Sequence, residues 1–493
     1  MVAFRPACCG RWRGRLTLTL PHPCDGAACL QGAGGTAKHS RLVLATCILA
    51  SSLAFVDGSV LNVALPTIGR AFNAATAEVQ WVMNAFTLPL SALLLLGGAA
   101  GDLYGRRRTM LAGIALFTAA SILCAISPSL ETFLAGRVLQ GLGAAMLLPN
   151  SLATLSASFA GERRGRAVGT WAAAGAIAGA VAPLLGGWLV DGIGWQFIFL
   201  INVPIAAAAI VLGLLYVPES ANEKRPPPDW LGAALATLAL AELTWGLTAW
   251  SATGRLDTAA AISLAGGALM LPLFLLAERR RGAKAMVPLA LFGSRAFVGL
   301  TFFTFLLYGA LGGLMLLLPY VLIQAGGYPA ALAGLALTPF PIIVAAGSPL
   351  MGKLAARIGP RWPLTIGPLL VAGGFLLGLR IDAGSNYWTS VLPSILTVSA
   401  GMAIAVAPLT TAVLGSVDEH HVGTASGLNS AVSRSGGLIV VALLGAVLSL
   451  EGADLIAGLH DAALVGVALA LISSLTAFAT LGGGGVQQPK QRT

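Results

Sequence analysis

The chain has 493 residues, of which 57% are hydrophobic and only 10% are charged, and its net charge is +10. About 25% of the residues in an ordinary soluble domain are charged, so this composition excludes a disordered chain and disfavours a soluble enzyme. The remaining class is a polytopic membrane protein. A basic excess is typical of partners such as nucleic acid or a membrane surface, and the positions of the charges decide between them.

Fourteen apolar stretches have about the 20 residues that a helix needs to cross a bilayer. They lie near 42–64, 79–100, 109–127, 131–156, 167–190, 196–217, 231–251, 258–277, 296–318, 333–351, 363–380, 389–414, 424–449 and 460–481. The stretches are rich in Leu and Ala and lack the short alternating pattern of membrane strands. We therefore predict an all-α polytopic membrane protein with fourteen transmembrane helices.

Lys and Arg are concentrated in one alternate set of loops, the set that includes both terminal segments. The opposite loops hold only Arg70, Arg255 and Arg380 among the 29 Lys and Arg. Because Lys and Arg near span ends favour the cytoplasm, we expect a multi-pass protein of the plasma (inner) membrane with both termini cytoplasmic. The basic excess is then topological, and no nucleic-acid partner is expected.

The two terminal segments are predicted to be cytoplasmic tails. Residues 1–41 lack the apolar core of a signal peptide, so we interpret them as a disordered tail or as the product of a start codon placed too early. Residues 482–493 form the second tail.

Short patterns recur at nearly one spacing, which indicates a duplicated six-helix unit. Residues 165–169 match 423–427 in their Gly and Ala positions, and Pro149 matches Pro408. The predicted units are a first bundle at 42–217, a linker with two extra transmembrane helices at 218–295, and a second bundle at 296–481. Parallel repeats with a substrate site between them are a transporter architecture.

Four charged residues fall inside predicted spans and away from the span ends, namely Asp57, Arg137, Glu242 and Arg434. Charges in the hydrocarbon region are costly and usually face an interior cavity, so these residues are the first functional candidates. Glu242 lies outside the repeated units. It is interpreted as a second proton-coupling residue or a cation-recognition carboxylate, or as a residue of a polar seam between helices.

Four motifs in order along the chain resemble the major facilitator superfamily and, more narrowly, its fourteen-helix drug:proton antiporter family of the EmrB/QacA type. They read Gly98…Asp102-Leu-Tyr-Gly105-Arg106 after the second span, Asp57…Asn62-Val-Ala-Leu-Pro66 in the first, Arg137-Val-Leu-Gln140-Gly141 in the fourth, and Gly169…Pro183-Leu-Leu-Gly186-Gly187 in the fifth. The sequence departs from the family pattern at Ala100, Leu103, Ala178 and Ala182.

The resemblance implies a major facilitator fold and a secondary active transporter, not an enzyme, that exports amphipathic drugs or antibiotics in exchange for protons by alternating access. It implies no cofactor and no metal, with a proton gradient as the energy source. The implied partners are a small amphipathic substrate, protons and the lipid bilayer, and the chain is expected to function as a monomer.

Other functions are open at this point. The main alternative is a metabolite symporter or uniporter of the same fold, for example for a sugar. A membrane-embedded enzyme or a lipid flippase is more distant, because we find no catalytic constellation. An ATP-driven pump is excluded, since the phosphate-loop-like run from Gly347 to Lys353 is followed by Leu354 where Ser or Thr is required.

The resemblance pairs Asp57 with Arg137 for proton coupling. A buried carboxyl beside a cation is poised between its neutral and charged forms, whereas Arg137 stays charged. The alternative is a static ion pair. Asp102, Gly105 and Arg106 resemble a cytoplasmic latch or gate, in which the acid meets a helix that starts near Thr424; a simple topological charge cluster is the alternative.

The remaining candidates are backbone, gating and cavity residues. Arg434 is assigned to gating, with a lipid headgroup as an alternative contact. Gly169, Gly179, Pro183, Gly186 and Gly187 of the fifth span are expected to form a hinge or a tight seam, against generic helix packing. The candidate substrate cavity consists of Trp81, Asn84, Asn150, Phe302, Phe305, Tyr308, Tyr320 and Gln324, against an aromatic stripe that faces lipid or a neighbouring helix.

Overall fold

The structure is a computed structural model that describes residues 39–481, except 222–227, 283–284 and 419–420. Its regular secondary structure, over the described residues, is helical. The predictions for the C-terminal tail, for almost all of the N-terminal tail, and for residues 222–227 of the linker lie outside the described residues.

Six helices make up what we call the first half. They are α1 (Ser40–Phe72), α2 (Thr76–Tyr104), α3 (Arg106–Ala125), α4 (Leu130–Ser158), α5 (Gly161–Gly192) and α6 (Asn202–Tyr216), the last preceded by the single turn Phe197–Leu200. A hairpin of α7 (Trp230–Thr253) and α8 (Thr258–Arg281) follows.

Six further helices make up the second half. They are α9 (Arg295–Gln324), α10 (Ala330–Ile358), α11 (Arg361–Gly378), α12 (Leu392–Gly415), α13 (Val422–Leu443) and α14 (Gly452–Thr480). α10 is interrupted between Ala330–Leu337 and Pro339–Ile358, where Pro339 cannot donate a backbone hydrogen bond.

Twelve of these helices are long and apolar enough to cross a membrane. Each of the fourteen predicted stretches coincides with a helix, but α11 and α13 do not meet the same criterion of length and hydropathy. α11 begins at Arg361 and contains two prolines, and α13 carries Arg434 and several small polar residues. These residues lower the mean hydropathy of the two helices. The prediction of an all-helical membrane protein is therefore confirmed at the level of twelve candidate spans.

The ends of several helices follow from local side-chain chemistry. Ser129, Asp229 and Asp257 accept hydrogen bonds from backbone N–H groups of the first turns of α4, α7 and α8, which would otherwise lack a partner. Gly105, with φ at +108°, turns the chain between α2 and α3, a conformation that other residues rarely adopt.

The two halves meet along two seams. α2 packs against α13, and α5 packs against α10. Of the inserted hairpin, α7 contacts both α2 and α13, and the Ser251 hydroxyl donates to the carbonyl of Ala442 at 2.6 Å. α8 packs mainly on α7 and leaves apolar side chains such as Ile262 and Leu269 exposed. The hairpin therefore covers the seam between α2 and α13.

Candidate functional site

A fully buried ion pair lies inside the first half. Arg137 of α4 donates from Nη1 to the Oδ2 atom of Asp57 of α1 at 2.6 Å, and both side chains have 0% exposure. Two of the charged residues that the sequence places within spans are thus brought together. Burial of two charges is costly, and further hydrogen bonds to the pair help to offset that cost.

Gln140 completes the surroundings of this pair. Its Nε2 atom donates to Asp57 Oδ1 at 3.2 Å and to the Ser121 hydroxyl at 2.8 Å, while its Oε1 atom accepts from Arg137 Nη1 at 2.7 Å. Asn202 of α6 donates to the same Ser121 hydroxyl at 3.4 Å, and Arg137 Nε donates to the carbonyl of Val82 in α2 at 3.2 Å. We call these groups the α1–α4 network; it joins α1, α2, α3, α4 and α6.

Aromatic rings flank the guanidinium of Arg137. Its Cζ atom lies 4.6 Å from the ring centre of Phe86 and 5.9 Å from that of Phe199. Such rings attract a cation when water is excluded. The Nη2 atom is buried and has no hydrogen-bond partner among the described residues, so one donor of this group is unused.

Arg137 Nη1 has a second hydrogen-bond acceptor besides the Asp57 carboxylate. Arg137 Nη1 is shared between the carboxylate of Asp57 and the amide oxygen of Gln140, and Gln140 is neutral at every relevant pH. When Asp57 is neutral, Gln140 still accepts from Nη1. Arg137 therefore has two acceptors for Nη1, one charged and one neutral.

Gln140, Ser121 and Asn202 were not singled out as site residues from the sequence. One signal was available: Gln140 follows Arg137 by three positions, which places both on one face of a helix. Asn202 lies in a run, Trp195 to Pro204, that also resembles the family, whereas Ser121 gave no comparable signal, because neutral polar residues occur throughout the spans.

Glu242 does not belong to the α1–α4 network. Its carboxylate accepts a hydrogen bond from Ser263 of α8, whose hydroxyl also approaches the Glu242 carbonyl at 3.0 Å. The side chain is half-buried between α7 and α8. The structure thus places Glu242 in a seam within the hairpin, and its proton-coupling role stays a prediction.

At the junction of α2 and α3, Asp102 and Arg106 form an ion pair at 2.8 Å. Glu219, which follows α6, accepts from the backbone N–H groups of Arg107 and Arg108 at 3.1 and 3.2 Å. A Cβ atom on Gly105 would lie 2.7 Å from the Glu219 carboxylate, so glycine is needed for this close approach. Sequence reasoning missed Glu219, and the latch role of Asp102 stays a prediction.

Arg434 lies half-buried on α13, one turn after Ser430. Unlike Arg137, it forms no ion pair with a carboxylate of the described residues. Its gating role is untested by this position.

The glycine and proline motif of α5 lies at close helix contacts. A Cβ atom on Gly186 would collide with Val60 of α1, and one on Gly187 would collide with the backbone of Ala330 and Ala331 in α10. Gly334 of α10 has an equally close approach to the carbonyl of Pro183. Gly169 and Gly179, by contrast, have open space or ordinary van der Waals contact. One end of α5 therefore joins the two halves of the chain.

An acidic residue that the sequence did not single out strengthens this seam. The carboxylate of Asp191, near the end of α5, accepts from the backbone N–H groups of Ala330 and Ala331 at 3.3 and 2.9 Å. It supplies partners for the first turn of α10, where the helix dipole also favours a negative charge. We call these contacts the α5–α10 seam.

The predicted cavity residues differ in burial and in their hydrogen bonds, and their role in substrate binding stays a prediction. Asn150 is fully buried and donates to the carbonyls of Gly97 and Met146, and Asn84 is also buried. Tyr320 donates to the carbonyl of Leu448. The remaining members are half-buried or exposed, namely Trp81, Phe302, Phe305, Tyr308 and Gln324. Phe302 lines a cleft at the periphery.

A sequence profile described as Major Facilitator Superfamily matches residues 47–441. Multidrug resistance protein Stp of Mycobacterium tuberculosis (strain CDC 1551 / Oshkosh) is 35% identical over 396 residues, covering 80% of this chain and 73% of that protein. The Methylenomycin A resistance protein of Bacillus subtilis (strain 168) is 34% identical and covers 84% of this chain and 89% of its own length. The Probable actinorhodin transporter of Streptomyces coelicolor is 32% identical, with coverages of 90% and 78%.

Solved structures support the same fold. A bacterial homolog to the human lysosomal transporter Spinster, in an inward-facing and occupied conformation, superposes with a TM-score of 0.62 at 16% identity, covering 90% of this chain and 97% of that one. At this identity the likeness concerns the fold alone.

Proposed function

Since the chain belongs to the Major Facilitator Superfamily, we propose that it exports drug-like small molecules across the plasma membrane in exchange for protons. The relatives reported above, named for multidrug resistance, antibiotic resistance and antibiotic transport, support the direction and class of transport. The observation that carries the coupling is the fully buried pair of Asp57 and Arg137. No cofactor enters the scheme.

The proposed cycle depends on the protonation of Asp57. In the charged state the carboxylate binds Arg137 and holds α1 against α4. A proton from outside neutralises it and weakens this attraction, while Gln140 keeps its bond to Arg137. Release of the proton inside restores the pair. One charge that crosses 100 mV supplies about 2.3 kcal/mol, which supports roughly fifty-fold accumulation.

We further propose that all fourteen long helices cross the membrane, as in the EmrB/QacA type. α11 is held between α12 and α14, and α13 between α9 and α2, so neighbouring helices shield much of their surface. Polar residues are tolerated in spans that face protein rather than lipid. The loop distribution of Lys and Arg supports cytoplasmic termini, and a monomer suffices for this arrangement.

Reporter fusions test the topology. Alkaline phosphatase, which is active only outside the cytoplasm, is fused after α10, α11, α12 and α13 in turn. Fourteen spans require activity to appear after α11 and α13 and to be absent after α10 and α12. Equal activity after α10 and α11 would contradict a spanning α11.

The exchange of Asp57→Asn tests the coupling. Asparagine is close to isosteric with aspartate but cannot ionise. In proteoliposomes with an imposed pH gradient, we expect the variant to lose gradient-driven drug accumulation and its pH dependence while it still folds and inserts. Asp461→Asn, at an exposed carboxylate of α14, is the matched control and should transport normally. Accumulation of drug against a gradient by Asp57→Asn would overturn the proposal.

A further inference from the structure

A separate cleft of about 730 Å³ lies away from the α1–α4 network, at the periphery of the second half. It is formed by the first turns of α9 and α11 and the last turns of α14. Its lining includes Arg295, Val298, Phe302, Arg361 and Phe478. The volume lies in the range of about 300–1,000 Å³ that is usual for small-molecule sites.

The polar end of this cleft is suited to an anion. Arg295 and Arg361 are the first residues of α9 and α11, so each guanidinium lies near the positive end of a helix dipole. The lining contains no Asp or Glu. The Nε atom of Arg361 is buried and has no hydrogen-bond partner among the described residues. Arg361 therefore has an unused donor beside an uncompensated charge.

Arg361 is also fixed in position. Its Cζ atom lies 4.1 Å from the ring centre of Phe478 on α14, and the ring of Trp362 packs edge-on against the same phenylalanine. This stacking holds the guanidinium without neutralising it. Trp362 is 53% exposed, as is typical of an aromatic side chain at a membrane interface.

The rest of the cleft is apolar and open to the outside of the bundle. Val298, Phe302 and Phe478 are 43%, 49% and 44% exposed, respectively. In a membrane these side chains contact hydrocarbon. A ligand that fits must therefore combine an anionic group with an apolar chain.

We propose that this cleft binds an anionic phospholipid of the cytoplasmic leaflet, with the headgroup phosphate on Arg361 and Arg295 and an acyl chain along Val298 and Phe302. The choice of leaflet rests on the proposed topology, which places the starts of α9 and α11 at the cytoplasmic face. Anionic lipids and basic side chains attract one another at that surface. The site goes beyond the proposed proton coupling, since it shares no residue with the α1–α4 network, and of the predicted substrate-cavity residues it includes Phe302 alone.

Binding is measured by the thermal unfolding of the full chain in detergent with added phosphatidylglycerol, phosphatidylcholine or inorganic phosphate, and by native mass spectrometry of lipid adducts. We expect phosphatidylglycerol to bind and stabilise. The double variant Arg295→Gln/Arg361→Gln should weaken its affinity at least tenfold. Arg357→Gln is the matched control, an exposed arginine near the end of α10 that does not line the cleft, and should bind as the unaltered chain does.

A second variant keeps the test independent of any loss of folding. Val298→Trp fills the apolar part of the cleft and leaves both arginines in place, and it should also weaken phosphatidylglycerol. Equal binding of phosphatidylcholine, or unchanged binding by the double variant, would overturn the proposal. Equal protection by inorganic phosphate would assign an anion site without a lipid. Competition by a transported drug would assign the cleft to substrate instead.

Discussion

The helices within the first half and the helices within the second half are joined by different kinds of contact. In the first half a charged pair and its amide and hydroxyl partners join five helices. In the second half Arg361 of α11 stacks on Phe478 of α14, and several hydrogen bonds between helices join neutral groups. Thr304 donates to Asn429, and Ser394 and Ser474 donate to backbone carbonyls, each at 2.8 Å.

The contact of α9 with α13 in the second half also differs from the contact of α1 with α4, where Asp57 binds Arg137. Gly309 approaches the backbone of Gly436, and Gly312 approaches Gly437, so the helices meet at their backbones. Such packing depends on shape and does not respond to protons. The buried ion pair on which the proposed proton coupling depends thus lies in the first half, whereas the contact of α9 with α13 is close packing. Four substitutions test this distinction.

Arg137→Leu has the largest expected effect. It leaves the Asp57 carboxylate buried without its cation, so we expect a loss of about 3–5 kcal/mol in the free energy of unfolding and no coupled export. Thermal or chemical unfolding in detergent measures the first quantity. Arg434→Leu, at the half-buried arginine of the second half, should lose much less stability. Equal losses for the two variants would remove the distinction between the halves.

Gly187→Val is expected to disturb the α5–α10 seam. The added side chain meets the backbone of Ala330 and Ala331, and overpacking of this kind costs about 1–3 kcal/mol. Gly169→Val is the matched control on the same helix, because nothing lies within 4 Å of its Cβ position. Unfolding and drug export are measured for both. If Gly187→Val changed neither stability nor drug export, close contact between α5 and α10 would not be required.

Asp191→Ala removes the carboxylate from the first turn of α10. Loss of such a cap costs about 0.5–2 kcal/mol. Hydrogen exchange at the amides of Ala330 and Ala331 should become faster, whereas Asp461→Ala should leave it unchanged. Unaltered exchange in the Asp191 variant would mean that this contact does not form in the membrane.

Glu242→Gln has the smallest expected effect. The glutamine keeps an acceptor for Ser263, and a single hydrogen bond contributes about 0.5–1.5 kcal/mol, so stability should change by less than about 1 kcal/mol. Coupled export in proteoliposomes should persist. A loss as complete as that of Asp57→Asn would make Glu242 a second proton carrier, and proton coupling would then extend beyond the first half.

Helix positions could be predicted from the sequence because long apolar runs are conspicuous. The runs in α11 and α13 were as long, but Arg361 and Arg434 with their neighbouring polar and proline residues reduce their hydropathy. Length and composition alone therefore do not decide whether these two helices span a bilayer.

Asp57 and Arg137 could be predicted for the same reason, since a charge in an apolar run is rare. Asp191 and Glu219 could not, because acids at helix ends resemble ordinary loop residues until their partners from distant segments are known. The peripheral cleft could not be predicted from the sequence either. Arg295, Arg361 and Phe478 lie on three helices far apart in sequence, and only packing brings them together.

The inserted hairpin makes the two flanks of the molecule unequal, because it covers one line of contact between the halves and not the other. α7 lies across the line where α2 meets α13, and α8 lies outside α7. A compound that diffuses within the bilayer therefore encounters the hairpin first on that flank, while the flank of α5 and α10 has no such screen among the described residues. We therefore expect a molecule dissolved in the bilayer to enter on the flank of α5 and α10.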